Sequence, residues 1–257
     1  MRAFSRSALP FGVLALALLA PVAHAQMPAD TMPPAPATPL PATNYYALET
    51  PRGRLVVRLF DDTPLHRDNF KRLAQEAFYD STAFHRVIEG FMVQGGDPNT
   101  RDTLAENDGM GDPGYSIPAE LGHYHVRGAL AAARQPDEIN PRRASSGSQF
   151  YLVQGRGPIP PAYLLQMQEI VRQMTGDSTF TYPPDIAQRY AERGGTPFLD
   201  RQYTVFGEVV EGLDVLDRLA AADTPRRHGD GSPWADRPTE RLWLVVWPLD
   251  DYTPPDE

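Results

Sequence analysis

Phe84-His85-Arg86-Val87-Ile88-Glu89-Gly90-Phe91-Met92-Val93-Gln94-Gly95-Gly96-Asp97 reads as two short strands, Phe84–Ile88 and Phe91–Gln94, joined by a turn at Glu89-Gly90. Arg86 is out of place in such a run, because a guanidinium among apolar neighbours must find partners or stay wet. Side chains alternate along a strand, so Arg86 and His85 face opposite ways. On the N-terminal side, Tyr45–Thr50 and Arg54–Phe60 predict two strands around Pro51-Arg52-Gly53, with Arg54, Val56 and Arg58 alternating with Leu55, Val57 and Leu59. Thr63 then suits a helix N-cap and Pro64 the first helical position, and Phe70, Leu73, Ala74 and Ala77 fall on one stripe. On the C-terminal side, strands are expected at Gly128–Arg134, Gln149–Gln154, Tyr203–Val210 and Arg241–Trp247, and a second helix at Leu213–Ala221. Many short strands with two core helices point to a mainly β fold, an antiparallel barrel or sandwich.

Composition narrows the chemistry. Among 257 residues there are 24 basic and 33 acidic ones, a net charge of −9 and no cysteine. Without a thiol there is no disulfide framework, zinc finger, iron–sulfur site or cysteine nucleophile. The acidic balance argues against nucleic acid and anionic membranes as partners. Residues 1–25 read as a signal peptide: Arg2 and Arg6 precede the apolar run Phe11–Ala20, and Ala23-His24-Ala25 is a small-x-small cleavage site. The expectation is an exported, periplasmic protein, soluble after cleavage. Residues 26–44 carry six prolines (28, 33, 34, 36, 39 and 41) and predict an extended, solvated linker. The folded domain is expected over 45–250, followed by a tail, 251–257. It is interrupted at about 157–196 by a helical excursion with the stripe Leu164, Met167, Val171 and Met174 and a second helix near Asp185–Arg193.

Three further patterns read as ordinary structure. Gly109-Met110-Gly111-Asp112-Pro113-Gly114 matches a dinucleotide fingerprint, but no strand precedes it and Pro113 blocks the helix that must follow. Ser145, Ser146 and Ser148 lack any nucleophile elbow and read as turn residues. Glu120, His123 and His125 offer three metal-ligand types within six residues, yet Pro118 and Gly122 suggest a loop with solvent-exposed imidazoles. No metal and no cofactor are expected.

The stretch 84–97 resembles, throughout its length, the signature F-H-R-V-I-x-G-F-M-x-Q-G-G-D of the cyclophilin-type peptidyl-prolyl cis–trans isomerases. Gly147-Ser148-Gln149-Phe150-Tyr151-Leu152 is similar to that family's G-S-Q-F-F-I strand, and Phe198-Leu199-Asp200 with Tyr203-Thr204-Val205-Phe206-Gly207 to its W-L-D…H-x-V-F-G segment. The resemblance covers roughly 45–154 and 198–249. It implies a closed antiparallel eight-stranded β-barrel capped by two α-helices, with the excursion emerging near the active site. It also implies an enzyme acting on prolines of unfolded or partly folded polypeptides, with Arg86 as the catalytic donor and Gln94 bonding the substrate backbone and steadying the arginine. Phe91, Met92, Tyr151 and Leu199 are implied as the proline pocket, Ala133 and Arg134 as the peptide-binding edge, and Phe198 and Tyr203 as further contacts. The family's tryptophan is Phe198 here and its histidine is Tyr203, so cyclosporin binding is expected to be weakened. Tyr151 replaces a phenylalanine, and its hydroxyl needs a partner or water at the pocket edge. A monomer is expected. The rival reading is a module that holds proline-containing peptides as a chaperone or scaffold with little turnover.

Overall fold

The computed structural model describes residues 33–254. The expected signal peptide, the first residues of the linker and the last three of the tail lie outside the described residues. Chain order is β1 (Tyr45–Thr50), β2 (Gly53–Leu59), α1 (Pro64–Gln75), β3 (Thr82–Ala83), β4 (Arg86–Ile88), β5 (Met92–Gly95), β6 (Ser116–Ile117), β7 (Ala129–Ala132), β8 (Ser145–Ser146), β9 (Phe150–Val153), α2 (Pro161–Thr175), α3 (Pro184–Arg193), β10 (Val205–Glu211), α4 (Leu213–Ala220) and β11 (Trp243–Pro248).

Nine strands form one antiparallel sheet in the order β3-β11-β1-β2-β10-β7-β9-β5-β4, while β6 and β8 pair separately. The two outermost strands are consecutive in the chain, with only Phe84 and His85 between them. The Phe84 amide donates to Leu242 O (2.9 Å) beside β11, and the His85 amide to Gln94 O (3.0 Å) of β5. A single stretch, 82–88, therefore passes from one edge of the sheet to the other. Counted as one stave, it curls the sheet into an eight-stranded barrel.

Tyr46, Leu48, Leu55, Val57, Leu59, Phe84, Phe150 and Phe206 from the strands, Phe70 and Leu73 from α1, and Leu216 and Leu219 from α4 make one buried cluster. Phe70 is its hub, with ring centroids 5.6 Å from Tyr46, 5.1 Å from Tyr79 and 5.8 Å from both Phe150 and Phe206. Each such side chain contributes about 1.5–3 kcal/mol on leaving water. The two capping helices close the barrel because their apolar stripes have no other surface to cover.

The start of α1 differs from expectation in one respect. Thr63 precedes Pro64 as predicted, but its hydroxyl makes no cap bond. Glu120, from a distant loop, accepts from the amides of Leu65 and His66 (3.0 Å each) and meets His66 Nδ1 at 2.6 Å. A carboxylate at a helix N-terminus satisfies orphan donors and matches the dipole. Burial pushes the Glu120 carboxyl up, but hydrogen bonds from His66 and these amides outweigh it and hold it below its usual range. One of the three metal-ligand types near residue 120 is thus a helix cap.

The end of the linker is fastened rather than free. Lys71 Nζ donates to Pro41 O (3.1 Å), Gln75 Nε2 to Thr38 Oγ1 (2.8 Å), and Thr43 Oγ1 to Leu249 O (2.9 Å). Residues 38–43 therefore run along α1 and the end of β11, fastened there while Thr38, Pro39 and Ala42 stay exposed.

The excursion folds around a core of its own: Leu164, Met167 and Val171 of α2, Phe180, Tyr182, and Tyr190 of α3, packed on Val126. Met174, expected in that stripe, is exposed. Its two ends cross at a neck where Gly155 faces Gly195, and Thr196 N donates to His125 O (2.8 Å). Gly195 has φ +141°, and a Cβ there would lie 2.3 Å from His125 O, so only glycine fits.

Candidate active site

The barrel's register sets the site out as a row. Arg86 pairs with Gln94, Gln94 with Tyr151, Tyr151 with Ala131 and Ala131 with Val205, across β4, β5, β9, β7 and β10. Neighbouring positions Val87, Val93, Leu152 and Leu130 point into the core. The row therefore lies on the barrel's outer face.

Arg86 has a side chain 40 % exposed, so its guanidinium is reachable from outside. It is also held. Nη1 donates to Gln94 Oε1 (3.4 Å), and Nε lies 3.5 Å from Asp236 Oδ2. Gln94 Nε2 donates to Gln149 Oε1 (3.1 Å), and Gln149 Nε2 to the carbonyls of Gly109 (3.1 Å) and Gly111 (2.8 Å). The chain has a direction: two loop carbonyls fix Gln149, Gln149 fixes the Gln94 amide, and that amide presents its oxygen to Arg86. The Gly109–Gly114 loop, which only imitates a nucleotide fingerprint, serves as the anchor. Asp236 is itself held by Arg226 Nε. Neither Gln149 nor Asp236 was singled out from sequence.

Beside Arg86, a second cluster brings Met92, Ala129, Ala131, Tyr151, Val153 and Val205 together, with Ile88, Phe91, Ala133, Leu199 and Tyr203 packed against it. Met92 and Tyr151 form a buried floor, and Phe91, Leu199 and Tyr203 a half-buried rim. Phe198 stands 41 % exposed with its ring 5.6 Å from that of Phe91, extending the apolar wall outward. The Ala133 amide donates to Gln149 O (3.0 Å), and its carbonyl accepts from Ser146 N (2.8 Å). Arg134 has a side chain only 3 % exposed and paired with Asp137 (2.6 Å). Its Nε donates to Gln202 O (2.8 Å), and its guanidinium lies 4.4 Å from the Tyr203 ring centroid. That side chain braces Tyr203 and the loop carrying it.

The Tyr151 hydroxyl turns inward, away from the pocket edge, and meets His125 Nε2 at 2.9 Å. His125 is fully buried and reaches Asp200 Oδ1 through Nδ1 (2.8 Å). This corrects the reading of His125 as a solvent-exposed imidazole. His123, in contrast, pairs with Asp62 at the surface (2.8 Å). Among the described residues no group of three His, Cys, Asp or Glu stands together as a metal site. Ser146 Oγ accepts from the amides of Ser148 (3.3 Å) and Gln149 (3.1 Å), as a turn serine does.

His85 is buried beside Gly109, and neither ring nitrogen has a hydrogen bond of good geometry among the described residues. Burial, reinforced by the Arg86 charge, pushes its imidazole down to about 4. Between pH 4 and the unfolded value of about 6.5, the unfolded chain binds a proton that the folded chain refuses, so stability falls as pH falls through this window. His85 alone is expected to cost about 2 kcal/mol between pH 7 and pH 5. Thermal midpoints across that range should decline more steeply for the wild type than for His85→Leu. Parallel profiles would refute the assignment.

The model of the family described as "Cyclophilin type peptidyl-prolyl cis-trans isomerase/CLD" matches residues 45–243. A Staphylococcus haemolyticus protein named as a peptidyl-prolyl cis–trans isomerase is 34 % identical over 177 residues, covering 68 % of this chain and 79 % of that protein. A Streptococcus pyogenes protein named as a bifunctional phosphatase/peptidyl-prolyl cis–trans isomerase is 38 % identical over 185 residues, 69 % of this chain but 34 % of that longer protein. Among solved structures, a Cryptosporidium parvum cyclophilin-type isomerase aligns with a TM-score of 0.54 at 21 % identity, over 79 % of this chain and 96 % of its own, which speaks to the fold. With a family match over most of its length and this agreement in architecture, the chain belongs to the cyclophilin-type peptidyl-prolyl cis–trans isomerases.

Proposed function

We propose that this protein accelerates rotation about X–Pro bonds in exported, folding polypeptides of the periplasm, with Arg86 as the catalytic group. The observation that carries the reading is a guanidinium held by Gln94 and Asp236, still 40 % exposed, at the edge of an apolar cluster. Rotation of the X–Pro amide breaks resonance over a barrier of about 18–20 kcal/mol. In the twisted state the prolyl nitrogen regains its lone pair and accepts a hydrogen bond that the planar amide cannot. A donor fixed at that nitrogen stabilises the transition state and not the ground state, which is the requirement for catalysis. A rate gain of about 10⁵ corresponds to roughly 7 kcal/mol. Arginine suits this role through its fixed charge and planar donors.

The apolar cluster supplies the complementary half. Met92 and Tyr151 floor a pocket for the pyrrolidine ring, with Phe91, Leu199 and Phe198 as walls. Ala133, the loop braced by Arg134, and Tyr203 line the approach of the peptide. No proton is transferred and no covalent bond is formed, so the chemistry calls for neither metal nor cofactor. With phenylalanine at 198, cyclosporin is expected to bind weakly, and the isomerase to act as a monomer.

The test is the isomerisation of an X–Pro tetrapeptide followed with and without protein. The expected result is a kcat/KM within the range of about 10⁴–10⁸ M⁻¹s⁻¹ usual for enzymes. Peptide binding with isomerisation left at the uncatalysed rate would instead indicate a holding module.

A further inference from the structure

We propose that the excursion 157–196 sets the shape of the proline pocket through a buried hydrogen-bond chain, Tyr190–Asp200–His125–Tyr151, in which His125 and Asp200 act as positioning residues. This rests on the isomerase reading and adds to it a role for the segment that the family signature leaves out.

The chain runs without a break. The Tyr190 hydroxyl, on α3, donates to Asp200 Oδ2 (2.7 Å). Asp200 Oδ1 accepts from both the backbone amide of His125 and its Nδ1, each at 2.8 Å. Nδ1 of the imidazole is thus held against the carboxylate, and Nε2 meets the Tyr151 hydroxyl at 2.9 Å. Tyr190, Asp200 and His125 are 0 % exposed and Tyr151 is 5 % exposed. Every hydrogen-bonding atom in the chain has a partner, as a buried polar network requires if it is to rigidify its surroundings.

Its two ends lie in different parts of the molecule. Tyr190 belongs to the excursion's own core with Phe180 and Tyr182. Tyr151 belongs to the pocket, where its ring stacks on His125 (6.0 Å, 11°) and meets Tyr203 edge-on (6.0 Å, 83°). The excursion also grips His125 through the backbone at its neck, where Thr196 N donates to His125 O and Arg127 N to Gly194 O (2.8 and 3.0 Å). A ring in an apolar pocket can shift by tenths of an ångström at little cost. A ring anchored at its hydroxyl to a fixed imidazole cannot, and such displacements matter to a pocket that must hold proline while the rest of the peptide turns. A Tyr–His–Asp order also occurs in proton relays, but X–Pro rotation moves no proton, so here the order serves placement.

The experiment is a double-mutant cycle on Tyr151→Phe and Tyr190→Phe in the full-length protein, each keeping its ring and losing one hydroxyl. Thermal midpoints are recorded so that all assays run on folded protein. Each single change is expected to lower kcat/KM for an X–Pro tetrapeptide about five- to tenfold, and Tyr190→Phe added to Tyr151→Phe to change it less than twofold further. A Tyr190→Phe protein within twofold of wild type, or effects that multiply, would overturn the chain while leaving the isomerase intact. If the wild type binds the peptide without turnover, the isomerase reading fails and the same cycle is read on Kd. If it neither turns over nor binds, both fail. The ¹⁵N resonances of His125 give a second readout without substrate: Tyr190→Phe should move Nδ1 and Tyr151→Phe Nε2, and a spectrum unmoved by both would contradict the coupling.

Discussion

Arg86→Ala is expected to lose about 10²–10³-fold in kcat/KM on an X–Pro tetrapeptide while still binding it. That size is typical for removing one preorganised donor from a transition state. The pocket that holds the proline is built from other residues, with Met92 and Tyr151 as its floor, so ground-state affinity should change little. Folding should also survive, since the side chain is 40 % exposed and lies on the outer face of the barrel. Arg86→Lys should recover only part of the loss. An ammonium keeps the charge, but it cannot hold Gln94 and Asp236 while also presenting a directed N–H to the prolyl nitrogen. Initial rates over a range of peptide concentrations separate the outcomes. A fall in kcat with KM nearly constant fits the donor role, whereas a rise in KM alone would make Arg86 a binding residue.

Asp200→Ala should produce the largest stability change, a loss of about 3–5 kcal/mol. The carboxylate is fully buried and accepts from the His125 amide, from His125 Nδ1 and from the Tyr190 hydroxyl. Deleting it orphans three donors at once, each costing about 1–3 kcal/mol when left without water. At about 2–4 °C per kcal/mol for a domain of this size, the thermal midpoint should drop by roughly 10 °C or more. Asp200→Asn keeps one acceptor oxygen and should cost less. A midpoint within a few degrees of wild type for Asp200→Ala would mean that water or a rearranged side chain replaces the carboxylate.

Much of the barrel is legible from local pattern, and what is not has a physical reason. β1 falls at Tyr45–Thr50 as expected, and α4 ends within one residue of its expected limit. β1 stops at the turn residues Pro51-Arg52-Gly53, and α4 carries a buried stripe of Val215, Leu216, Leu219 and Ala220. β3 is only Thr82–Ala83, too short to carry a period, and its pairing with β11 joins residues about 160 positions apart. Closure of the barrel at 82–88 was therefore expected from family resemblance and not from spacing. Arg86 is legible as a guanidinium among apolar neighbours and Gln94 only through the family resemblance, and the structure pairs the two across a short hairpin. Gln149 stands within a recognised motif, yet its role depends on loop carbonyls at Gly109 and Gly111. Asp236 reaches Arg86 from 150 positions away, with no local signal. His125 misled the reading because Pro118 and Gly122 nearby suggest an exposed loop, whereas its burial is set by Asp200, 75 residues on. Glu120 is a similar case, a helix cap supplied from 54 residues beyond His66.

The central claim is that Arg86 acts on the rotating amide and not on the resting one. Exchange NMR on an X–Pro peptide with catalytic amounts of protein measures both properties in one sample: the cis–trans interconversion rate, and, through titration shifts, the affinity. The account predicts that wild-type protein brings the interconversion into the exchange window, and that Arg86→Ala retains the wild-type affinity within a few-fold while the interconversion drops out of that window. An Arg86→Ala protein that still drives exchange at the wild-type rate would contradict it.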